Sequence, residues 1–79
     1  MTDFEKMRLR DAAEFGAAIR RERRARGLSQ EAVALSAGVG LRFVHDLEHG
    51  KDTVELGRAL RVAQAVGLRI EVEGSAPHA

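Results

Sequence analysis

From Asp11 onward the apolar residues of this chain return at helical spacing. Phe15, Ala18 and Ile19 share a stripe with Glu22 and Arg23, and Asp11 followed by Glu14 gives a capping-box-like start. The pattern predicts a first helix that closes at Gly27. Leu28, Val33, Ala34, Ala37 and Val39 supply the apolar side of a second, shorter helix and of the turn behind it, with Ser29 as the capping hydroxyl. Leu35 points away from that side; a single exposed leucine is ordinary, and contact with a partner is the alternative reading. The turn falls at Ala37-Gly38-Val39, where Gly38 tolerates the positive φ that a sharp change of direction needs. A third helix starts at Gly40 or Leu41. At about 100° per residue, Phe43, Val44 and Leu47 lie on one arc of it and Leu41, Arg42, His45, Asp46 and His49 on the other, before Gly50 closes it. Two short helices broken at a glycine are helix-turn-helix grammar. A helix this short cannot stand alone in water, so its packed arc implies supporting helices and its polar arc is free to read something.

Thr53 is placed to cap a fourth helix, Val54 to Val66, with Leu56, Leu60, Ala63 and Val66 as its buried stripe, Arg58 and Arg61 in solvent, and Gly67 as its end. Then the period changes. Leu68-Arg69-Ile70-Glu71-Val72-Glu73 alternates strictly between apolar and charged, the pattern of a half-buried β-strand. A lone strand leaves its ladder unpaired, and an antiparallel pair of Leu68, Ile70 and Val72 strands across a two-fold homodimer is the economical answer; a tail laid over the core is the plainer one. Met1 to Arg10 has no clear period and reads as a loosely ordered arm, in which Phe4, Met7 and Leu9 can pack and Arg8 and Arg10 can reach a phosphate backbone. Gly74 to Ala79, with Pro77, reads as a disordered end. The expected division is an arm over 1–10, a helical domain over 11–67, a strand over 68–73 and a tail over 74–79.

The leucine, serine and glutamine at Leu28-Ser29-Gln30, the small Ala37 before the turn glycine, and the closing Leu47-Glu48-His49-Gly50 together resemble the XRE class of phage-repressor-like DNA-binding domains. The resemblance runs from Phe15 to Leu68. Within that class, Gly50-Lys51-Asp52-Thr53-Val54-Glu55-Leu56-Gly57, Arg61-Val62 and Gly67-Leu68-Arg69-Ile70-Glu71-Val72 are similar to the HipB-like antitoxins. The resemblance implies an all-α repressor-like domain of four helices with a short C-terminal strand pairing across a homodimer. It implies an antitoxin that represses its own operon and neutralises a HipA-like serine/threonine kinase toxin. It also implies an ion pair between Arg23 and Glu48, which answers the question of what accompanies a charge on the inward stripe of the first helix. A surface arginine without a partner is the plainer alternative.

Composition narrows the classes without choosing among them. Seventy-nine residues make one small domain, whose marginal core favours oligomerisation. With no cysteine there is neither a disulfide nor a cysteine-based zinc site, and no stretch has the run of apolar residues that a signal peptide or a membrane span needs, so a cytoplasmic protein is expected. The net charge of +1 is weak for a nucleic-acid binder, but its distribution is uneven. Residues 1–27 hold eight Lys/Arg against five Asp/Glu, and five arginines crowd between Arg20 and Arg26; a solvated helix face and a phosphate or partner patch are both open readings.

DNA recognition needs phosphate donors on the flanks and base readers at the front of a helix that fits the major groove. Gln30 sits in the first turn of the second helix, where its amide and the helix N-terminus can both meet a phosphate, as its counterpart in the resembled class does. Lys51, just beyond the third helix, can clamp the backbone on the other side. Arg42 is the leading base reader, since its guanidinium matches O6 and N7 of guanine; Asp46 can accept from cytosine N4 or orient Arg42 across one turn, with His45 beside it. Leu41 can touch a thymine methyl, and Gly40 stands where the resembled class often has a capping Ser or Thr. One enzyme-like pattern competes: His45-Asp46-Leu47-Glu48-His49 matches the H-x-x-E-H of inverted zinc proteases. A third protein ligand and a cleft are missing, so no catalytic metal, cofactor or enzyme is expected, although an exposed i,i+4 histidine pair can pick up metal adventitiously. Gly38-Val39-Gly40 lacks the lysine and the further glycine of a phosphate loop. Two rivals to the antitoxin remain: a stand-alone prophage-like or autoregulatory repressor, and a protein-interaction module that does not read DNA.

Overall fold

The structure is a computed structural model that describes residues 7–75. Phe4 and the rest of 1–6, and residues 76–79 of the tail, lie outside the described residues. Among the described residues four helices follow in order: α1 Ala12–Ala25, α2 Gln30–Ala37, α3 Leu41–Glu48 and α4 Leu56–Ala65. Among the described residues no helix is long and apolar enough to cross a membrane.

Helices α1, α2 and α4 each begin where a side chain accepts an orphan N–H. Asp11 accepts from the Glu14 N–H at 2.9 Å, while the Glu14 carboxylate reaches back to the Arg10 N–H at 2.8 Å, one residue earlier than a standard capping box. Ser29 accepts from the Ala32 N–H at 3.0 Å, and Leu28 before it and Val33 inside it both pack into the core, as a hydrophobic staple requires. Gly38 stops α2: at φ 70° its left-handed conformation lets the Val39 N–H close on Ala34 O at 3.0 Å. Leu28 to Arg23 O, Lys51 to Asp46 O and Leu68 to Ala63 O end α1, α3 and α4 with the same bond.

The fourth helix differs from its expected form at both its start and its face. It begins at Leu56 rather than Val54, because Glu55 and not Thr53 supplies the cap, its carboxylate accepting from the Arg58 N–H at 2.8 Å. The inward stripe is Ala59, Val62, Ala63 and Val66, so Leu56 and Leu60 are left 67% and 40% exposed. Small residues let α4 pack closely on α2, and the two leucines, one turn apart, form an apolar strip on the outside. Arg61 is not wholly in solvent: its Nε donates to Ala37 O at 3.1 Å and satisfies a carbonyl at the end of α2.

Ile19, Val33, Val44, Leu47, Val62 and Val66 form the fully buried centre, with Phe15, Leu28, Val39, Phe43 and Leu68 packed around it. Leu35 faces solvent. Gly16, in the middle of α1, faces the end of α3: a Cβ there would run into the Leu47 carbonyl oxygen and crowd Glu48. This contact sets how closely α1 and α3 approach, and it went unread in the sequence.

Residues 68–75 form no regular secondary structure in the single chain, so the expected strand is absent from the isolated protomer. A strand exists only by pairing, and one chain supplies no partner for it. Leu68 is half-buried against its own core, whereas Ile70 and Val72 are 42% and 92% exposed.

Candidate nucleic-acid interface

The side chains expected to meet DNA gather on one surface built from the start of α2, the outer face of α3 and the residue beyond it. Gln30 from α2 and Leu41, Arg42 and His45 from α3 line one shallow depression. Gly40 caps α3 with extended backbone at φ −76° and no side-chain hydrogen bond, so no capping side chain accepts from the first N–H groups of the helix. That end of a helix dipole favours an anion.

Asp46 connects the rest. Its Oδ1 accepts from Arg42 Nε at 3.1 Å and lies 3.5 Å from His45 Nδ1, and its Oδ2 lies 3.8 Å from Lys51 Nζ. The hydrogen bond from Arg42 leads the effects that hold the Asp46 carboxyl below the ordinary aspartate range, against partial desolvation and with help from His45 and Lys51. The imidazoles of His45 and His49 stack with centroids 4.2 Å apart, and His49 Nδ1 sits 2.8 Å from His45 O.

Behind this surface lies the buried carboxylate of Glu48. Its side chain is 0% exposed and that of Arg23 is 13% exposed; Arg23 Nε donates to Oε2 at 2.6 Å and Nη2 to Oε1 at 3.0 Å, a two-point pair. Gln30 Nε2 donates to the same Oε1 at 3.0 Å, and Arg23 Nη1 donates to Leu28 O at 2.8 Å. One carboxylate therefore ties α1, the loop after it, the start of α2 and the end of α3 into a single block. Burial pushes the Glu48 carboxyl up, but the hydrogen bonds from Arg23 and Gln30 and the charges of Arg23 and Arg20 outweigh it, and the net shift is downward. The hydrogen bond to Glu48 correspondingly raises Arg23. Because Glu48 faces inward, it does not converge with the exposed His45 and His49, and the H-x-x-E-H pattern does not assemble as a site.

Sequence reasoning missed the bond from Gln30 to Glu48 and the roles of Gly16 and Arg61. A glycine amid alanines in a helix interior is a signal of close approach; the other two depend on how helices pack, which no local pattern encodes.

A four-helix domain with an outward second motif helix, locked from behind and lined in front with Arg42, His45 and Lys51, defines the helix-turn-helix class. The chain belongs to the XRE-type helix-turn-helix family, a family of DNA-binding transcriptional regulators: the family model HTH_3, helix-turn-helix, matches residues 19–72. It is 43% identical over 65 residues to the uncharacterized HTH-type transcriptional regulator y4mF of Sinorhizobium fredii, covering 82% of this chain and 86% of that protein. Among solved structures it resembles the restriction-modification controller protein C.AhdI of Aeromonas hydrophila, with TM-score 0.65 and 34% identity over 73% of this chain and 88% of that one. It also shares the fold of HipB in the HipA-HipB-O2-O3 complex, with TM-score 0.80 and 15% identity over 90% of this chain and all of that one.

Proposed function

We propose that this chain is a homodimeric, sequence-specific DNA-binding repressor that acts in the cytoplasm on its own operator, with α3 laid in the major groove. The observation that carries the reading is the Glu48 block: it fixes α3 against α1 and α2 so that Arg42, His45 and Lys51 on one side and Gln30 on the other present as a rigid set. Arg42 reads guanine, Leu41 meets a thymine methyl, Gln30 and Lys51 hold phosphates on either flank, and the uncapped N–H groups after Gly40 add to the phosphate contact. Two copies would read half-sites about one helical turn or a multiple of it apart. The exposed Leu56 and Leu60 strip together with Ile70 and Val72 supplies apolar surface for the second copy, and strand pairing over residues 68–73 in the dimer would satisfy the backbone that the single chain leaves open.

The physiological setting we infer is a toxin-antitoxin operon, with a HipA-like kinase as the second partner; the fold shared with HipB over nine-tenths of the chain supports it. The alternative is a stand-alone autoregulator, and the 34% identity to the controller protein C.AhdI favours it. The neighbouring reading frame separates them: a kinase-sized protein recovered with this chain from its native host supports the antitoxin, while recovery of the homodimer alone beside an unrelated gene supports the autoregulator. The DNA reading itself is tested by fluorescence anisotropy with the duplex upstream of the gene and a scrambled duplex over a salt series. Preference for the upstream duplex, with affinity falling as salt rises, is expected; equal weak binding to both would leave the interaction-module reading.

A further inference from the structure

The acid at the centre of the reading face is an oddity on a surface meant for a polyanion. Asp46 brings a negative charge to where phosphates and base acceptors approach, so it costs affinity for any DNA and must return something specific. Its geometry indicates what. The Asp46 side chain is 22% exposed and that of Arg42 is 86% exposed, so the carboxylate is set back while the guanidinium stands forward. Both carboxylate oxygens are already engaged on this face, Oδ1 with Arg42 and His45 and Oδ2 with Lys51. An acceptor placed this way is poorly disposed to reach past Arg42 to cytosine N4.

We propose that Asp46 is a specificity-determining positioning residue: by occupying Arg42 Nε it turns the guanidinium so that Nη1 and Nη2 meet DNA end-on as a paired donor for guanine O6 and N7. An unheld arginine can offer a base either its Nε and Nη2 edge or its two Nη groups, and its flexible stem samples many directions. The bond from Nε removes the first mode and orders the stem before DNA arrives, so less freedom is lost on binding. Asp46 remains ionised alongside Arg42, because Arg42 itself holds its carboxyl down. The same carboxylate lies 3.8 Å from Lys51 Nζ, which holds that charge at the groove edge and limits indiscriminate phosphate contacts. This inference rests on α3 being the helix that reads DNA.

The experiment is selection from randomised duplexes with the full chain, followed by affinity measurements on the selected duplex, on guanine replacements within it and on an arbitrary duplex, for the wild type, Asp46→Asn, Asp46→Ser and Arg42→Ala. The wild type should select a site with one guanine in each half-site whose replacement weakens binding by roughly 10-fold or more. Both Asp46 variants should cut that penalty to about 3-fold or less, yet bind the arbitrary duplex about 2-fold more tightly, since a repelling charge has gone. A merely structural role for Asp46 would lower binding to all duplexes alike and would overturn the proposal. Full retention of the guanine penalty in both Asp46 variants, with its loss in Arg42→Ala, would overturn it while leaving α3 as the reader. Loss of a cytosine preference instead would make Asp46 a direct reader and also overturn it. Selection of no sequence by the wild type would remove the reading of α3 and this inference together.

Discussion

Replacing Glu48 with alanine removes the one acceptor that meets two Arg23 donors and the Gln30 amide, and leaves Arg23 in a site where only 13% of its side chain is exposed. Breaking a buried pair from one side costs about 3 to 5 kcal/mol, because the remaining charge is uncompensated. Arg23 retains its bond to Leu28 O and its sliver of solvent, which places the loss at the lower end, about 3 kcal/mol. A domain of this size has a total stability of roughly 4 to 12 kcal/mol, so Glu48→Ala should lower the melting temperature by about 12 to 24 °C in circular dichroism at fixed protein concentration. Arg23→Met should cost a comparable amount. The double variant Arg23→Met/Glu48→Leu should lose less than the two singles combined, because neither charge is then left alone.

The pH dependence has a definite sign. Glu48 is held below its ordinary value in the folded chain, so its contribution is fully present above that value and is lost as pH falls through the folded one. The stability difference between the wild type and Glu48→Gln should therefore be constant near neutrality and narrow below about pH 4. A loss under about 1 kcal/mol in Glu48→Ala, or single effects that simply add in the double variant, would show the pair to be an ordinary surface contact and refute the reasoning.

Three further outcomes follow from the packing. Gly16→Ala drives a methyl into the Leu47 carbonyl and should destabilise the fold by about 1 to 3 kcal/mol in urea denaturation, although alanine is the better helix former; a stabilised variant would show that α1 and α3 do not approach as described. Gly40→Ser adds the missing cap to α3 at a backbone geometry any residue adopts and with nothing within 4 Å of the new Cβ, so it should gain about 0.5 kcal/mol in the same assay; a loss would mean that the helix starts elsewhere. Truncation after Gly67, or Leu56→Glu with Leu60→Glu, should shift sedimentation toward a folded monomer; an unchanged dimer after both would place the interface on another face.

Where local chemistry decides structure, the sequence was readable. Asp11, Ser29 and Gly38 mark helix ends through bonds within a few residues, and the stripes through Ile19, Val33, Val44 and Leu47 mark the inward faces. The fourth helix shows the limit. Thr53 and Glu55 are both able to cap, and the helix starts at the later of the two, where the Glu55 carboxylate accepts from the Arg58 N–H. Leucines in α4 invite burial, but Ala59, Val62 and Ala63 let the helix approach α2 and displace Leu56 and Leu60 outward. The pairing of Arg23 with Glu48 was visible through family resemblance, whereas the Gln30 amide on the same carboxylate depends on three helices meeting and has no local signature. The candidate interface was legible as a set of positions; that Asp46 stands behind Arg42 rather than beside it required coordinates.

The central claim is that α3 reads bases through Arg42, and guanine N7 is the atom to remove. Within a selected duplex, each guanine is replaced in turn by 7-deazaguanine, and binding is measured for the wild type and Arg42→Ala. The account predicts one guanine in each half-site at which loss of N7 weakens the wild type by roughly 5-fold or more and leaves Arg42→Ala unchanged. Equal sensitivity of the two proteins at every guanine, or none in either, would contradict it.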